Sequence, residues 1–576
     1  MTNRYQAIYD IAELCARKGL TDAVLSPGSR CAPLTLAFTR HPAIQCRTIS
    51  DERSAGFIGL GLAQQKRKPI SVLCTSGSAV YNLAPAVAEA FFSNIPLIVF
   101  TADRPAEWIA QHDGQTIHQQ GIFGRHVKQS FQLPQDYDHT DSQWAINRMV
   151  NEAINLATQS PAGPVHINAP FREPLYPQKE TGFNFSESVR VIETFDPEIT
   201  LSNSVQKELS DTWKSYQRIL VVAGQALPED EVSTLLKAAA DKHGMPVVGD
   251  ILSNLHSQDS LIRHSDLFLG QAPESIRKTL QPDLLITFGQ SVISKNLKLF
   301  LRQHPAKDHW HIQPSGVPVD TYQHLTRFIP TTPGHFFQFL QRMETASGFE
   351  LQKQKNYQNL WEIEERKALR ILRDFFPQDY FGELELVKEI LNGLPEDSNL
   401  HLANSMSVRY ANFIGLRPDQ KVQVYSNRGT SGIDGCVSTA VGHSLASNKP
   451  NILITGDMAF FYDRNAFWNN YPVPNLHVVV LNNHGGTIFN MIDGPSSLPE
   501  SQEYFVTNQK LSARSLCQEF GFDHLVIDNK RKIKNTIKDF FEFEGTTKIL
   551  ELETDGNENK LIFDKLKQKI KTSYEL

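Results

Sequence analysis

Two short stretches in the C-terminal third of the chain carry oxygen ligands in the arrangement that a metal-bound phosphate requires. The first is Ile452-Leu-Ile-Thr-Gly-Asp-Met-Ala, an apolar strand pattern that runs into Gly456 and Asp457 and opens a helix-compatible segment at Met458 and Ala459. A helix N-terminus favours an anion, and an aspartate placed there binds the cation bridging that anion's oxygens. The second stretch, Asn482-Asn-His-Gly-Gly, follows the next apolar run, His477–Leu481. Consecutive strand ends of an open parallel sheet share one edge. Asp457, the side-chain oxygen of Asn483 and the carbonyl of Gly485 therefore suit a hard, all-oxygen Mg²⁺ shell. Either stretch alone is an ordinary turn composition; the signal is their pairing.

Four arginines form a second constellation. Arg30, Arg104, Arg409 and Arg428 each lie in a Gly-, Ser- or Pro-rich loop after a strand-like run. There a guanidinium fork can clamp a carboxylate in two-point fashion. A lone acid, Glu52, opens a helical pattern whose small residues Gly56, Gly59, Gly61 and Ala63 permit close packing. Taken singly, such a glutamate is most often a surface residue favoured by the helix dipole.

These groups must be positioned by parallel α/β sheets. Residues 5–18 place Ile8, Ile11, Ala12, Leu14 and Cys15 on one helical face, and strand-like runs follow at Ala23–Leu25, Ile70–Cys74, Ile95–Thr101 and Val165–Ile167. Runs this apolar, each ending at Gly, Pro, Ser or Asp, are those of strands buried on both faces. Pro174–Ser188 has a linker composition. A second α/β pattern has strands at Ile219–Val222, Pro246–Val248 and Leu284–Phe288. A charged helical connector, roughly Gln352–Arg373, leads to a third with strands at Val422–Tyr425, Asn451–Thr455, His477–Leu481 and Ile549–Glu553. The run from Lys68 to Phe100 resembles the run from Lys449 to Val480, which predicts two related domains around an unrelated one. The fold expected is α/β with three doubly wound parallel-sheet domains, at 1–180, 190–345 and 375–576, joined by a connector over 346–374. The Lys-rich segment Asn529–Lys571 reads as a solvated strand-and-helix surface.

Bulk properties narrow the function further. A chain of 576 residues exceeds a single core, and 40% hydrophobic with 21% charged residues is an ordinary globular composition. A formal charge of −6 points to no nucleic acid or acidic membrane. Six scattered cysteines form no CxxC pair, the N-terminus has no signal-peptide layout, and no apolar run is long enough to span a bilayer. A soluble, cytoplasmic protein is expected.

The Gly456-Asp457…Asn482-Asn483 pair resembles the signature of thiamin-diphosphate enzymes. It departs from that signature at Met458, which stands for a third glycine, and in an interval to Asn482 one residue short. Neither departure removes a ligand. Four longer segments resemble the menaquinone-pathway branch that makes 2-succinyl-5-enolpyruvyl-6-hydroxy-3-cyclohexene-1-carboxylate. They are Ser26-Pro-Gly-Ser-Arg-Cys-Ala, Thr101-Ala-Asp-Arg-Pro-Ala-Glu, Asn404-Ser-Met-Ser-Val-Arg and Tyr425-Ser-Asn-Arg-Gly-Thr-Ser-Gly-Ile-Asp-Gly.

The resemblance implies thiamin diphosphate with Mg²⁺ (or Mn²⁺), and a transferase of aldehyde or ketone residues. Such an enzyme decarboxylates 2-oxoglutarate and adds the succinyl unit 1,4 to isochorismate. By the same resemblance Glu52 activates the cofactor. Ser405, Gly432, Ile433, Gly456, Asp457, Met458, Ala459, Asn483 and Gly485 surround the cofactor, and Asp457, Asn483 and Gly485 hold the metal. Arg409 and Arg428 take the succinyl carboxylate; Ser29, Arg30, Arg104, Gln115 and Lys295 position isochorismate, with Phe489 as an apolar wall. His118 and His484 are expected to be structural. The resemblance further implies a homodimer or homotetramer with sites between subunits. A carboligase of the acetolactate synthase type stays open, although its small substrate would not need four arginines. A non-catalytic paralogue stays open too, although it would be free to lose Glu52, Asp457 or Asn483.

Overall fold

The computed structural model describes residues 6–177, 184–195, 197–345, 348–376, 380–491, 494–543 and 545–575. It contains three six-stranded sheets, every strand pair parallel. The first is built from β1 (Asp22–Leu25), β2 (Gln45–Thr48), β3 (Ile70–Cys74), β4 (Leu97–Asp103), β5 (Ser130–Gln132) and β6 (Val165–Pro170). The second holds β7 (Ile219–Ala223), β8 (Val247–Gly249), β9 (Leu261–Ile262), β10 (Leu284–Phe288), β11 (Asp308–Ile312) and β12 (Arg327–Ile329). The third holds β13 (Ser398–Leu402), β14 (Val422–Tyr425), β15 (Asn451–Gly456), β16 (Leu476–Asn482), β17 (Asp523–Ile527) and β18 (Lys548–Glu553). Helices cover both faces, so the central strands β3, β4 and β16 are buried at every position.

The first sheet runs β2-β1-β3-β4-β6-β5 and the third β14-β13-β15-β16-β18-β17, one order used twice. The middle sheet runs β12-β11-β10-β7-β8-β9, a different order. The repeat between the Lys68 and Lys449 runs is thus a repeat of topology. A 26-residue helix, Gly348–Arg373, links the second sheet to the third. Its Glu365 accepts from the ring Nδ1 of His264 at 2.7 Å, and the other ring nitrogen meets the Ile414 carbonyl at 3.1 Å. Of the Pro174–Ser188 stretch, 178–183 lie outside the described residues, and the remainder forms no helix or strand.

The first and third domains meet through corresponding helices, Glu52–Lys66 after β2 and Cys436–Ala446 after β14. A Cβ on Gly61 would sit 2.2 Å from the Thr439 carbonyl oxygen, and one on Gly442 2.3 Å from that of Ile58. Only glycine allows the two backbones to cross so closely. Around the crossing, Ile58, Leu62, Val437, Val441 and Leu453 share one apolar core. The Lys-rich C-terminal stretch differs from its expected solvated surface. Its strand β18 lies inside the sheet between β16 and β17, and only the flanking helices meet solvent. No helix among the described residues is long and apolar enough to cross a membrane.

Candidate active site

In a doubly wound sheet the ligand crevice forms where successive crossovers leave in opposite directions. In the third sheet that point lies between β13 and β15. A cleft of about 520 Å³ opens there, lined by Asn404 and Ser405 after β13 and by Arg428, Ser431 and Ile433 after β14. Gly456 to Ala459 after β15 and Asn483, Gly485 and Phe489 after β16 complete it.

Register brings the oxygen ligands together. Gly456 pairs with Leu481, so Asp457 and Asn483 leave neighbouring strands within one residue of the same height. Asp457 is 1% exposed. Its carboxylate accepts from the Met458 backbone N–H at 2.8 Å and the Gln509 side chain at 2.7 Å, and takes a further bond from the Gly485 N–H. Burial still pushes its pKa above the ordinary carboxylate value, against those bonds and His484. The Asn483 Nδ2 donates to Glu383 at 2.5 Å, which turns Oδ1 the other way; that oxygen is buried and has no hydrogen-bond partner. A carboxylate raised by burial beside an orphaned amide oxygen is a site that a hard divalent cation would satisfy. Asp457 and the Asn483 oxygen are the part of the expected magnesium set that meets this description; Gly485 lines the same cleft, with its carbonyl accepting from the Thr487 N–H at 2.9 Å. Among the described residues no cluster of three His, Cys, Asp or Glu offers an alternative.

Glu383 carries no motif in the sequence. It is one of two glutamates in the first turn of the helix Glu383–Gly393, as anonymous as Glu52, and its partner Asn483 is remote in the chain. Burial pushes its carboxyl up to about 7, helped by nearby Asp457 and opposed by the Asn483 and Tyr410 hydrogen bonds. Gln509, which ties Asp457 to Asn482 (3.1 Å), is equally silent in the sequence.

The arginines divide into two pairs. Arg409, which stands inside the helix Met406–Ile414 and not in the expected loop, shares the cleft with Arg428; burial holds both below their ordinary pKa, and the Arg409 charge lowers Arg428 further. Arg409 donates to the Ser405 carbonyl at 2.5 Å, with Ser405 held at φ +74°. Arg428 donates to Asn404 Oδ1 at 2.6 Å, and its Nε is buried without a partner. Neighbouring domains supply countercharge: Asp266 acts on Arg409, and Asp250 and the first domain's Glu89 act on Arg428. Two partly desolvated guanidiniums with unused donors suit an anionic ligand. Ile433 is 39% exposed, an apolar side chain offered to the cleft beside them. Gly432 binds Asn404 through its carbonyl (2.7 Å).

The other candidates lie elsewhere. Arg30 donates to the Phe171 carbonyl at 2.8 Å, and Ser29 meets the Tyr176 hydroxyl at 3.1 Å. Arg104 donates to the Gly114 carbonyl at 3.0 and 3.3 Å, and Gln115 takes φ +57° against Gly77. Glu52 accepts from Asn82 at 3.2 Å. These five occupy the C-terminal edge of the first sheet and do not line the cleft of their own chain; nor does the exposed Lys295 at the head of Lys295–Gln303. His484 pairs with Glu553 at 2.9 Å and does not line the cleft.

Three family descriptions cover the chain in order. Residues 7–122 match the N-terminal TPP binding domain of thiamine pyrophosphate enzymes, 195–402 the middle domain, and 405–550 the C-terminal TPP binding domain. A protein of Cytophaga hutchinsonii is 46% identical over 570 residues, covering 99% of this chain and 100% of that protein. Proteins of Flavobacterium johnsoniae (36% identical) and Bacteroides thetaiotaomicron (37% identical) each cover 96% of both chains. All three are named 2-succinyl-5-enolpyruvyl-6-hydroxy-3-cyclohexene-1-carboxylate synthase.

Proposed function

Since the chain belongs to the thiamin-diphosphate-dependent 2-succinyl-5-enolpyruvyl-6-hydroxy-3-cyclohexene-1-carboxylate synthases, we propose that the third-sheet cleft joins 2-oxoglutarate to isochorismate with loss of CO₂, a step of menaquinone biosynthesis. One observation carries the reading. An orphaned amide oxygen beside a buried aspartate and a pair of underused arginines stand in a single cleft. The first pair suits a cation that anchors a diphosphate; the second suits a dicarboxylate. A pyruvate carboligase would need only the first.

Asp457, Asn483 Oδ1 and the Gly485 carbonyl would hold Mg²⁺, and the N–H groups at the start of Asp457–Tyr462 would face the diphosphate. Thiamin diphosphate, when bound, supplies the electron sink for decarboxylation. Arg409 and Arg428 hold the distal carboxylate of 2-oxoglutarate, which fixes its keto carbon over the cofactor position. Ile433 would give the bound cofactor an apolar support, and Phe489 would wall the space for the second substrate. Glu52 would hold the cofactor's pyrimidine and supply a carboxylate for its proton, while Ser29, Arg30, Arg104, Gln115 and Lys295 would orient isochorismate.

Because Glu52, Arg30 and Arg104 do not line the cleft of their own chain, the complete site needs a second copy. The first domain of one chain, within 1–180, would face the third, within 375–576, of its partner. The exposed side chains of Tyr81, Trp108, Tyr176 and Tyr462 support such a contact. Six unpaired cysteines support the cytoplasm as the compartment.

The test is turnover of isochorismate plus 2-oxoglutarate with Mg²⁺ and thiamin diphosphate, run beside pyruvate alone. Product and CO₂ from the first mixture and none from the second is the expected result. Turnover of pyruvate alone would move the chain to another branch of the class.

A further inference from the structure

The loop between β14 and the helix Cys436–Ala446 carries both Arg428 and Ile433, and a carboxylate of the first domain grips it. Glu89, on the helix Ala84–Phe92, is 1% exposed. One of its oxygens accepts from the Gly429 backbone N–H at 2.8 Å and from Ser93 Oγ at 2.7 Å. The other accepts from the Thr430 N–H and the Thr430 hydroxyl, both at 2.7 Å. Four donors thus meet one buried carboxylate, which also acts on the Arg428 charge in the same loop. Burying a charge is costly unless its hydrogen-bonding sites are filled, so this arrangement holds only with the loop in place.

The backbone fit is equally close. A Cβ on Gly429 would lie 2.7 Å from the Glu89 carbonyl oxygen and 2.7 Å from Ser93 Oγ. The loop is held from its other side by Asn404, which donates to the carbonyls of Asn427 (2.8 Å) and Gly432 (2.7 Å). Between these anchors the backbone at 429 and 430 rests on Glu89.

Building on the reaction assigned above, we infer that Glu89 is a positioning residue for 2-oxoglutarate: by fixing the Gly429–Thr430 backbone it aims the Arg428 guanidinium into the cleft of its own chain. The first domain then serves two functions. Its sheet edge presents Glu52, and its Ala84–Phe92 helix sets the grip of the third domain on the substrate carboxylate.

Glu89→Gln tests this. An amide offers one acceptor oxygen and presents an NH₂ group to the remaining donors, so half of the clamp is lost. The KM for 2-oxoglutarate should rise ~10- to ~100-fold, the usual worth of one or two charge-assisted hydrogen bonds, while kcat and Mg²⁺-dependent thiamin diphosphate affinity change little. In an Arg428→Ala background the same substitution should add less than ~2-fold, because coupled residues are not additive. Amide exchange at 429 and 430, read without substrate, should quicken in E89Q while the helix Glu52–Lys66 stays protected. Thr430→Val, which removes one hydroxyl donor, should shift KM the same way by a smaller factor, and serves if E89Q folds poorly. Full additivity with Arg428→Ala, or an unchanged KM beside a lowered melting temperature, would make Glu89 a structural fastener and overturn the inference. Unchanged loop exchange in E89Q would overturn it as well. A wild-type protein inert towards 2-oxoglutarate would instead overturn the reaction assignment.

Discussion

At the end of β1 in the first sheet, Gly28 lies so close to the loop after β3 that a Cβ would sit 2.3 Å from that of Thr75. At the equivalent place in the third sheet, Asn404 and Ser405 after β13 stand across an open cleft from Asp457. The two sheets share a strand order, so the same strand ends carry chemistry in both. Arg104 directly follows β4 as Asn483 follows β16, and Glu52 and Arg428 come within a turn of the ends of β2 and β14. What differs is the crevice around them. Arg30 and Arg428 are alike, each bonded through one terminal nitrogen and each with a buried Nε that has no partner, but the third sheet adds a buried, unpartnered amide oxygen, Asn483 Oδ1, lining the open cleft. The fold dictates where functional groups converge. Closure of the crevice decides whether an edge receives a ligand or supplies residues to another surface.

The sharpest way to break that comparison is to remove one acid from each edge. Asp457→Asn should weaken Mg²⁺-dependent thiamin diphosphate binding by more than ~100-fold, since loss of even an outer-sphere partner commonly costs 10- to 100-fold. Glu52→Gln should keep cofactor affinity within a few-fold and lower turnover by ~10²- to ~10⁴-fold, the range for a lost proton-transfer group. Calorimetry and single-turnover rates separate the two. If E52Q lost the cofactor as D457N does, the division of labour between the edges would be wrong.

Much of this architecture is legible in the sequence because buried parallel strands need uninterrupted apolar runs. Ile70–Cys74, Leu284–Phe288 and His477–Leu481 announce themselves in this way. Edge strands do so unevenly: Val422–Tyr425, at the rim of the third sheet, is legible, and others are not. Gln45–Thr48 and Asp523–Ile527 each pair on one side only, keep partly exposed positions, and leave no pattern. Two interior strands are also hidden, for a different reason. In β13, Asn399 and His401 both bond Asn451 of β15 at 3.0 Å, and in β11, His309 and His311 flank Thr287 of β10 at 2.8 Å. Polar residues are affordable there only because a neighbouring strand satisfies them, a pairing that no local window contains. Glu383 is illegible on the same grounds. Asp457, Asn483, Arg30, Arg104 and Arg428 could be read because each sits at a turn or helix start whose composition marks a strand end; Arg409, inside the helix Met406–Ile414 after the hidden strand β13, is legible only through its family segment.

A smaller effect is expected where the two domains touch. Gly442→Ala would drive a methyl group to 2.3 Å from the Ile58 carbonyl oxygen, with the Gly61 Cα and the Leu62 nitrogen at 3.0 Å. All three are backbone atoms, so the helices must separate, at a cost of about 1–3 kcal/mol. Gly61→Ala should cost a similar amount against the Thr439 carbonyl, and the double variant less than the sum, because one separation relieves both. Gly348→Ala, with nothing within 4 Å of its Cβ, is the matched control and should be nearly neutral in urea unfolding. Equal losses in all three single variants would mean that the crossing is looser than its geometry.

The least effect separates the caps of those same two helices. Asp51 caps Glu52–Lys66 locally, accepting from the N–H groups of Arg53 (2.9 Å) and Ser54 (3.4 Å). The helix Cys436–Ala446 is instead held by a remote and fully buried acid, Asp463, which accepts from the Ser438 N–H (2.7 Å) and hydroxyl (2.8 Å). Burial pushes Asp463 from 3.8 up to about 7, against the Ser438 bonds and the Arg53 charge, with Asp51 adding to the rise. The folded chain therefore holds this proton over an interval where the unfolded chain has released it. Its contribution to stability is fully present below pH 3.8 and is lost as pH rises through about 7. Asp463→Asn keeps an acceptor for the Ser438 N–H and a donor for its hydroxyl but cannot titrate. The stability of the wild type relative to D463N should accordingly increase as pH falls from about 8 to about 5.5, by about 2 kcal/mol at most. Parallel pH dependences for the two proteins in urea unfolding would show that Asp463 stays charged throughout. The contrast between a local cap and a buried one would then rest on geometry alone.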